Sequence, residues 1–387
     1  MVVFFYFYAY LFSMKKLEKN KAKKSKRKML FLVVSKMAIV SLLVGILIIA
    51  PMVGVVYHNK QKLVSEKMFG NKAEYQGIIT LWNVDTFEGG TASRSGFLEK
   101  VATKFEKQNK GAFIKVENLT IDEMVANLKM GKKPNLFSFG MGISHYLEKD
   151  MLALSGDYES RIMSNFLASG MENGVSKAVA WCFGGYSLIS STEKIEKAKG
   201  DTQISLKEQC FSLAFDTVYK KSTKHTYSLT FGKNNYVDAL SVFTRSFNDK
   251  SVNELVDNAV IDTKFSEQSP YDAYVNFVSN KSSILLGTQR DIARMELRVL
   301  SGTEQDLIIE PLGVYTDLVD YISIIKSEEN IQNVCKKFVE FLLSEEIQLS
   351  LENIGMFSPF GINLYKEGAM QKLENSITEK TVVKNAF

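Results

Sequence analysis

The residues best suited to chemistry lie between Leu81 and Arg94, in the stretch LWNVDTFEGGTASR. It leaves a β-branched run, passes Gly89-Gly90, and leads toward a helical pattern near Phe97. Trp82 offers a flat apolar face, while Asp85, Thr86, Glu88, Thr91 and Arg94 offer hydrogen bonds. Sugars present C–H faces that stack on aromatic rings and hydroxyls at their edges. A tryptophan beside clustered short polar residues is the combination such a ligand needs. In open α/β sheets, ligands bind outside the carboxyl ends of strands, where loops and helix N-termini supply polar groups. The plainer alternative is a surface loop with Trp82 packed in the core. The glycine pair belongs to neither a P-loop nor a G-x-G-x-x-G element.

Catalysis finds little support. A glycosidase needs two carboxylates about 5–10 Å apart. Asp85, Glu88 and Asp317 are the candidates, without a pairing signal. There is no G-x-S-x-G elbow, H-E-x-x-H or Walker element. Cys182, Cys210 and Cys335 lie far apart, as do His58, His145 and His225, so metal-ligand spacing is missing. The expectation is a non-enzyme without metal or cofactor.

The elements that must position these residues alternate. Strands are predicted at Gly77–Trp82, Ala112–Val116, Asn135–Phe139, Gly185–Ile189 and Ser283–Leu286. Helices are predicted at Phe97–Gln108, Ile121–Lys129, Val237–Phe247, Tyr271–Val278 and Asn330–Leu351. That rhythm argues for βαβ units and a largely parallel sheet.

The N-terminal region differs in kind. Met37 to Val56 is twenty residues without a charge. As a helix it would span about 30 Å, the thickness of a bilayer's hydrocarbon core. Between Lys15 and Lys36 lie ten basic residues and one acid, Glu18. That local +9 leaves about −4 of the chain's total of +5 for everything else, so nothing in the mildly acidic remainder suggests a phosphate-backbone binder. The basic cluster predicts a cytoplasmic N-terminus at residues 1–36, an uncleaved transmembrane anchor at 37–57 and a stalk at 58–76. The binding part then faces outward. Met14 opens a basic segment and is an alternative start.

Several ordered stretches resemble extracellular solute-binding proteins of family 1, the maltose- and oligosaccharide-binding components of ABC importers. They are ITLWNVDTFEGG (79–90), PNLFSFG (134–140), AVAWCFGGYSLI (178–189), ILLGTQRD (284–291), PLGVYTDLVDYISI (311–324) and FVEFLLSEEIQ (338–348). The resemblance implies an α/β, two-lobed, periplasmic-binding-protein-like (type II) fold. It has central mixed sheets and hinge crossovers that close over the ligand.

The carry-over puts lobe 1 at 77–179 and 284–314, and lobe 2 at 180–283 and 315–387. It places Trp82, Asp85, Thr86 and Glu88 at the first-lobe lip, and the residue pattern itself adds Arg94 as a ligand-binding candidate. Val179-Ala180 would be the first crossover, leading to Trp181 and Tyr186. Relatives often have proline where this chain has Ala180, which implies a looser hinge. Thr288, Gln289 and Arg290 would end a strand re-entering lobe 1, and Tyr315, Thr316 and Asp317 would mark the third crossing. The implied partners are a small carbohydrate ligand, ABC permease subunits and the membrane, with no nucleic acid. The lipoprotein cysteine usual in Gram-positive relatives is absent, which changes the anchoring. A sensor or adhesion module without its own permease is the alternative function, and a secreted carbohydrate-active enzyme a remote one.

Overall fold

The computed structural model describes residues 72–198, 202–203, 205–208, 229–246 and 268–387. The predicted basic segment, the anchor at 37–57, the stalk up to residue 71 and Cys210 lie outside the described residues. Among the described residues, no helix is long and apolar enough to cross a membrane.

Strand β1 (Lys72–Val84) buries Ile79 and Leu81 and carries the chemically rich loop at its carboxyl end. Helix α1 (Arg94–Gln108) follows, its N-cap Ser93 accepting from the Gly96 N–H. Phe97, Val101 and Phe105 are buried along one side, as their spacing predicts. Strand β2 (Lys110–Asn118) pairs parallel with β1. Helix α2 (Ile121–Lys129) opens on a Thr120–Glu123 capping box, which satisfies two otherwise orphaned N–H groups. Strand β3 (Leu136–Phe139) pairs parallel with the other edge of β1.

Strand β4 (Val179–Phe183) is buried throughout, and the chain then crosses to a second sheet at β5 (Tyr186–Ser190). That sheet adds β6 (Leu229–Thr230), β7 (Ile284–Thr288) and β8 (Ile308–Pro311), in the order β8-β5-β7-β6. Helices α3 (Ala239–Ser246), α4 (Pro270–Val278) and α5 (Gln289–Leu300) lie among these strands in sequence. After β9 (Tyr315–Thr316), strand β10 (Val319–Ile324) returns to the first sheet and lies antiparallel between β3 and β4. The first sheet thus runs β2-β1-β3-β10-β4. Helix α6 (Glu329–Leu342) packs Phe338 edge-on against Phe105 of α1 at 5.3 Å. Helix α7 (Gly368–Ser376) and β11 (Val382–Val383) follow, β11 pairing with β9. The predicted helix over 330–351 is divided: α6 ends at Leu342 and a short helix starts at Glu345.

Both sheets are mixed, and two expectations shift. The residues 284–314, expected with the first lobe, contribute β7 and β8 to the second sheet. The stretch 319–324, expected with the second lobe, is β10 of the first sheet. The strands Ile284–Thr288 and Val319–Ile324 are short, mostly apolar and largely buried, and such strands carry no local mark of their partner. The first crossing is also later than expected. Ala180 sits mid-strand opposite Tyr321, so it is no hinge, and the chain crosses at Gly184-Gly185. Any side chain at Gly184 would meet the Gln289 amide, 2.2 Å from its Cβ position. The Gly185 N–H donates to Gln289 Oε1 at 3.1 Å, and the Thr316 hydroxyl donates to the Gly184 carbonyl at 2.8 Å. The second crossing, from Pro311 to Val319, therefore lies against the first.

Candidate functional site

At the carboxyl end of β1 the loop from Asp85 to Ser93 borders a cavity of about 570 Å³. Asp85, Glu88, Thr91, Ser93 and Arg94 line it from the first sheet's side, together with Thr86 and Phe87. Asn234 and Arg290 close it from the second sheet's side. Arg290 stands in the first turn of α5, which begins on a Thr288–Asp291 capping box.

The loop is held from behind. The Arg94 guanidinium is only 3% exposed. Its Nη1 donates to Asp320 Oδ2 at 2.6 Å, its Nη2 to the Phe87 carbonyl at 2.5 Å, and its Nε lies 3.1 Å from Asp85 Oδ1. The same group sits 4.2 Å from the Phe87 ring centre. Gly90 has φ +68°, and a Cβ there would fall 2.0 Å from the Ile354 carbonyl, which accepts from the Thr91 N–H. Burial works against the Arg94 charge, but Asp320 and Asp85 outweigh it and hold its pKa up. Burial pushes the Asp320 carboxyl up to about 6 against the pull of Arg94.

Contacts cross the cleft. Asn234 Nδ2 donates to the Thr86 carbonyl at 3.0 Å. Glu88 lies 3.6 Å from Arg290 and 3.8 Å from Arg294. Below them Asp317, fully buried, accepts from the Tyr186 hydroxyl at 2.7 Å, the Asp238 N–H at 2.7 Å and the Tyr315 hydroxyl at 3.3 Å. Burial raises the Asp317 pKa, against the two strongest of those hydrogen bonds.

The predicted site residues divide. Asp85, Thr86, Glu88, Arg94 and Arg290 meet at the cavity. Tyr186 reaches a small adjoining cavity of about 40 Å³, too small for more than a water or two. Tyr315, Asp317 and Gln289 form the crossings rather than the cavity wall. Asp317 is therefore also withdrawn from the set of carboxylates that could face a substrate.

The two tryptophans belong to the core. Trp82 is 2% exposed, and its indole N–H donates to Glu117 Oε2 at 2.9 Å on the neighbouring strand. β1 continues two residues beyond Trp82, so the ring stands within the sheet rather than at its end. Trp181 stacks on Phe97 at 5.8 Å and donates to the Ser138 hydroxyl at 3.2 Å.

The residues the sequence reading missed are Phe87, Ser93, Asn234 and Asp320. The Gly-Lys-Asn-Asn cluster at 232–235 is a turn signal that pointed to Asn234. Nothing local marked Asp320, an acid inside a buried strand. Among the described residues there is no group of three His, Cys, Asp or Glu side chains able to hold a metal ion.

No protein-family model and no curated protein matches the sequence. Solved structures do match. The sugar-binding protein MalE from Xanthomonas citri is similar over 80% of this chain and 87% of its own, with a TM-score of 0.59 at 12% identity. The GacH receptor of Streptomyces glaucescens, solved unliganded and with acarbose, is similar over 80% and 88%, at 0.57 and 15%. A family 1 extracellular solute-binding protein from Bifidobacterium longum subsp. infantis is similar over 76% and 83%, at 0.54 and 14%. At these identities the likeness establishes the fold. It is the two-lobed α/β fold of maltose- and oligosaccharide-binding ABC substrate-binding proteins.

Proposed function

We propose that this chain is an extracytoplasmic solute-binding protein, anchored in the membrane, that delivers a sugar or oligosaccharide to an import permease. The observation that carries this reading is the cavity of about 570 Å³ whose polar walls come from connecting segments and helix starts beside two different sheets. A cavity of that size suits a small ligand, and walls beside separately connected sheets let binding drive closure. The first lobe would be built on β1, β2, β3, β10 and β4, and the second on β5, β6, β7 and β8. Gly184-Gly185 and the segment from Leu312 to Leu318 would act as hinges. Asp85, Glu88, Thr91 and Ser93 would face the ligand from one wall, Asn234 and Arg290 from the other. With carboxylates, hydroxyls and an amide on offer, a polyhydroxylated ligand would find partners for most of its groups.

The fold's solved representatives support the choice of ligand, since they include a sugar-binding protein and a receptor seen with acarbose. A role in binding rather than catalysis fits the same company. The apolar run at 37–56 behind ten basic residues supports an anchor with its N-terminus in the cytoplasm.

A thermal-shift screen of the full chain in detergent, against monosaccharides and oligosaccharides, tests the reading. A ligand at 100 times its dissociation constant stabilises by about 2.7 kcal/mol. A clear shift with one sugar class is expected. No shift with any sugar, beside a shift with a non-sugar solute, would overturn the carbohydrate assignment.

A further inference from the structure

Arg94 lines the cavity, yet its guanidinium is committed to the protein. Three of its nitrogens are engaged by three acceptors from two separate segments: Asp85 and Phe87 of the lip loop, and Asp320 of β10. The Phe87 ring lies against the same group. A planar fork with five donors can hold several acceptors in fixed directions at once, which a lysine ammonium on a flexible stem cannot.

We propose that Arg94 is a positioning residue that fixes the shape of the lip loop from behind, with Asp320 as its anchor. This rests on reading the cavity as the ligand site, but the loop's order is a property of the chain without ligand. Two features extend the claim. A Cβ at Gly89 would fall 2.7 Å from the Phe87 ring and 3.1 Å from Arg94 Nη1, so the loop is folded tightly over the guanidinium. Asp320 also lies three residues beyond Asp317, which holds Tyr186 of β5 and the Asp238 N–H. The anchor of the lip loop thus stands on the strand that leaves the second crossing.

Hydrogen exchange measured by mass spectrometry on the full chain, without ligand, tests this. In Arg94→Lys the positive charge stays beside Asp320 but the three contacts cannot all be made. Exchange in peptides covering 85–92 should rise at least tenfold, with the Thr91 amide included. Peptides from β5 and β7 should change less than twofold. If lysine restores the loop's protection to that of the parent, or if exchange rises equally in both sheets, the positioning role is wrong. Should Arg94→Lys fail to fold, Asp85→Asn loosens the clamp at its solvent end. It should speed the same loop peptides severalfold, and an unchanged loop would again overturn the proposal. A sugar screen that finds no ligand leaves these outcomes intact, so the two readings fail separately.

Discussion

The two walls of the cleft are built to different standards. The first wall is a loop bonded from behind by a buried guanidinium, beside Gly90 whose backbone only glycine adopts easily. The second wall consists of a turn at 232–238 and the first turn of α5. Its charged member, Arg290, is 36% exposed and reaches Glu88 only at 3.6 Å. Ordering a loop costs about 1–2 kcal/mol of backbone entropy per residue. In the first wall that cost is met during folding, before a ligand arrives. The second wall meets the first through the Asn234–Thr86 hydrogen bond and the longer Glu88–Arg290 contact. On the proposed function, the first wall would be the template onto which the second closes.

The largest effect should follow from breaking the template. Arg94→Met leaves Asp320 buried without its partner, and removing one member of a buried pair typically costs about 3–5 kcal/mol. Chemical denaturation at pH 8, where Asp320 is ionised in the folded parent, measures it. A loss below about 1 kcal/mol would place the two walls on equal footing.

Next in size is a pH effect from the same pair. Asp320 titrates at about 6 when folded and near 3.9 when unfolded, so the folded chain binds this proton more tightly. Its contribution to stability is fully present below about pH 4 and is lost as pH rises through about 6. Asp320→Asn should therefore remove a decline on the order of 2–3 kcal/mol between pH 4 and pH 7, seen as the difference between parent and variant profiles. Parallel profiles would show that the carboxyl is unperturbed.

The second wall should respond more weakly. Asn234→Ala deletes the hydrogen bond across the cleft and a second one accepted from the Tyr236 N–H, together worth about 1–2 kcal/mol. Unfolding should shift by that amount or less, while small-angle scattering shows a larger radius of gyration without ligand. An unchanged radius would mean that Asn234 does not hold the cleft shut.

The same contrast explains what the sequence disclosed. The first wall is local: strand, polar loop and helix follow one another within about twenty residues. Periodicity and turn chemistry were enough to find Asp85, Thr86, Glu88 and Arg94 there. The second wall is assembled from segments about fifty residues apart, and of these only Arg290 was found, through family resemblance. Strand partners failed for a related reason. ILLGT and VDYISI read alike as buried strands, and only tertiary packing decides which sheet each joins. Trp82 misled because a ring near a strand's end can face a cleft or a neighbouring strand. Its pairing with Glu117 depends on the register of β1 with β2, which residue types alone do not encode.

On the proposed function, ligand binds in the cavity between these walls, and filling that cavity is the most direct test. Ala92 lines the cavity on the exposed side of the loop. Ala92→Trp would occupy that space while leaving the buried clamp alone. Titration calorimetry with the sugar that gives the largest thermal shift should then show at least a hundredfold weaker binding, with a melting temperature within a few degrees of the parent. Parent-like affinity in Ala92→Trp would contradict the account, because the ligand would have to bind elsewhere.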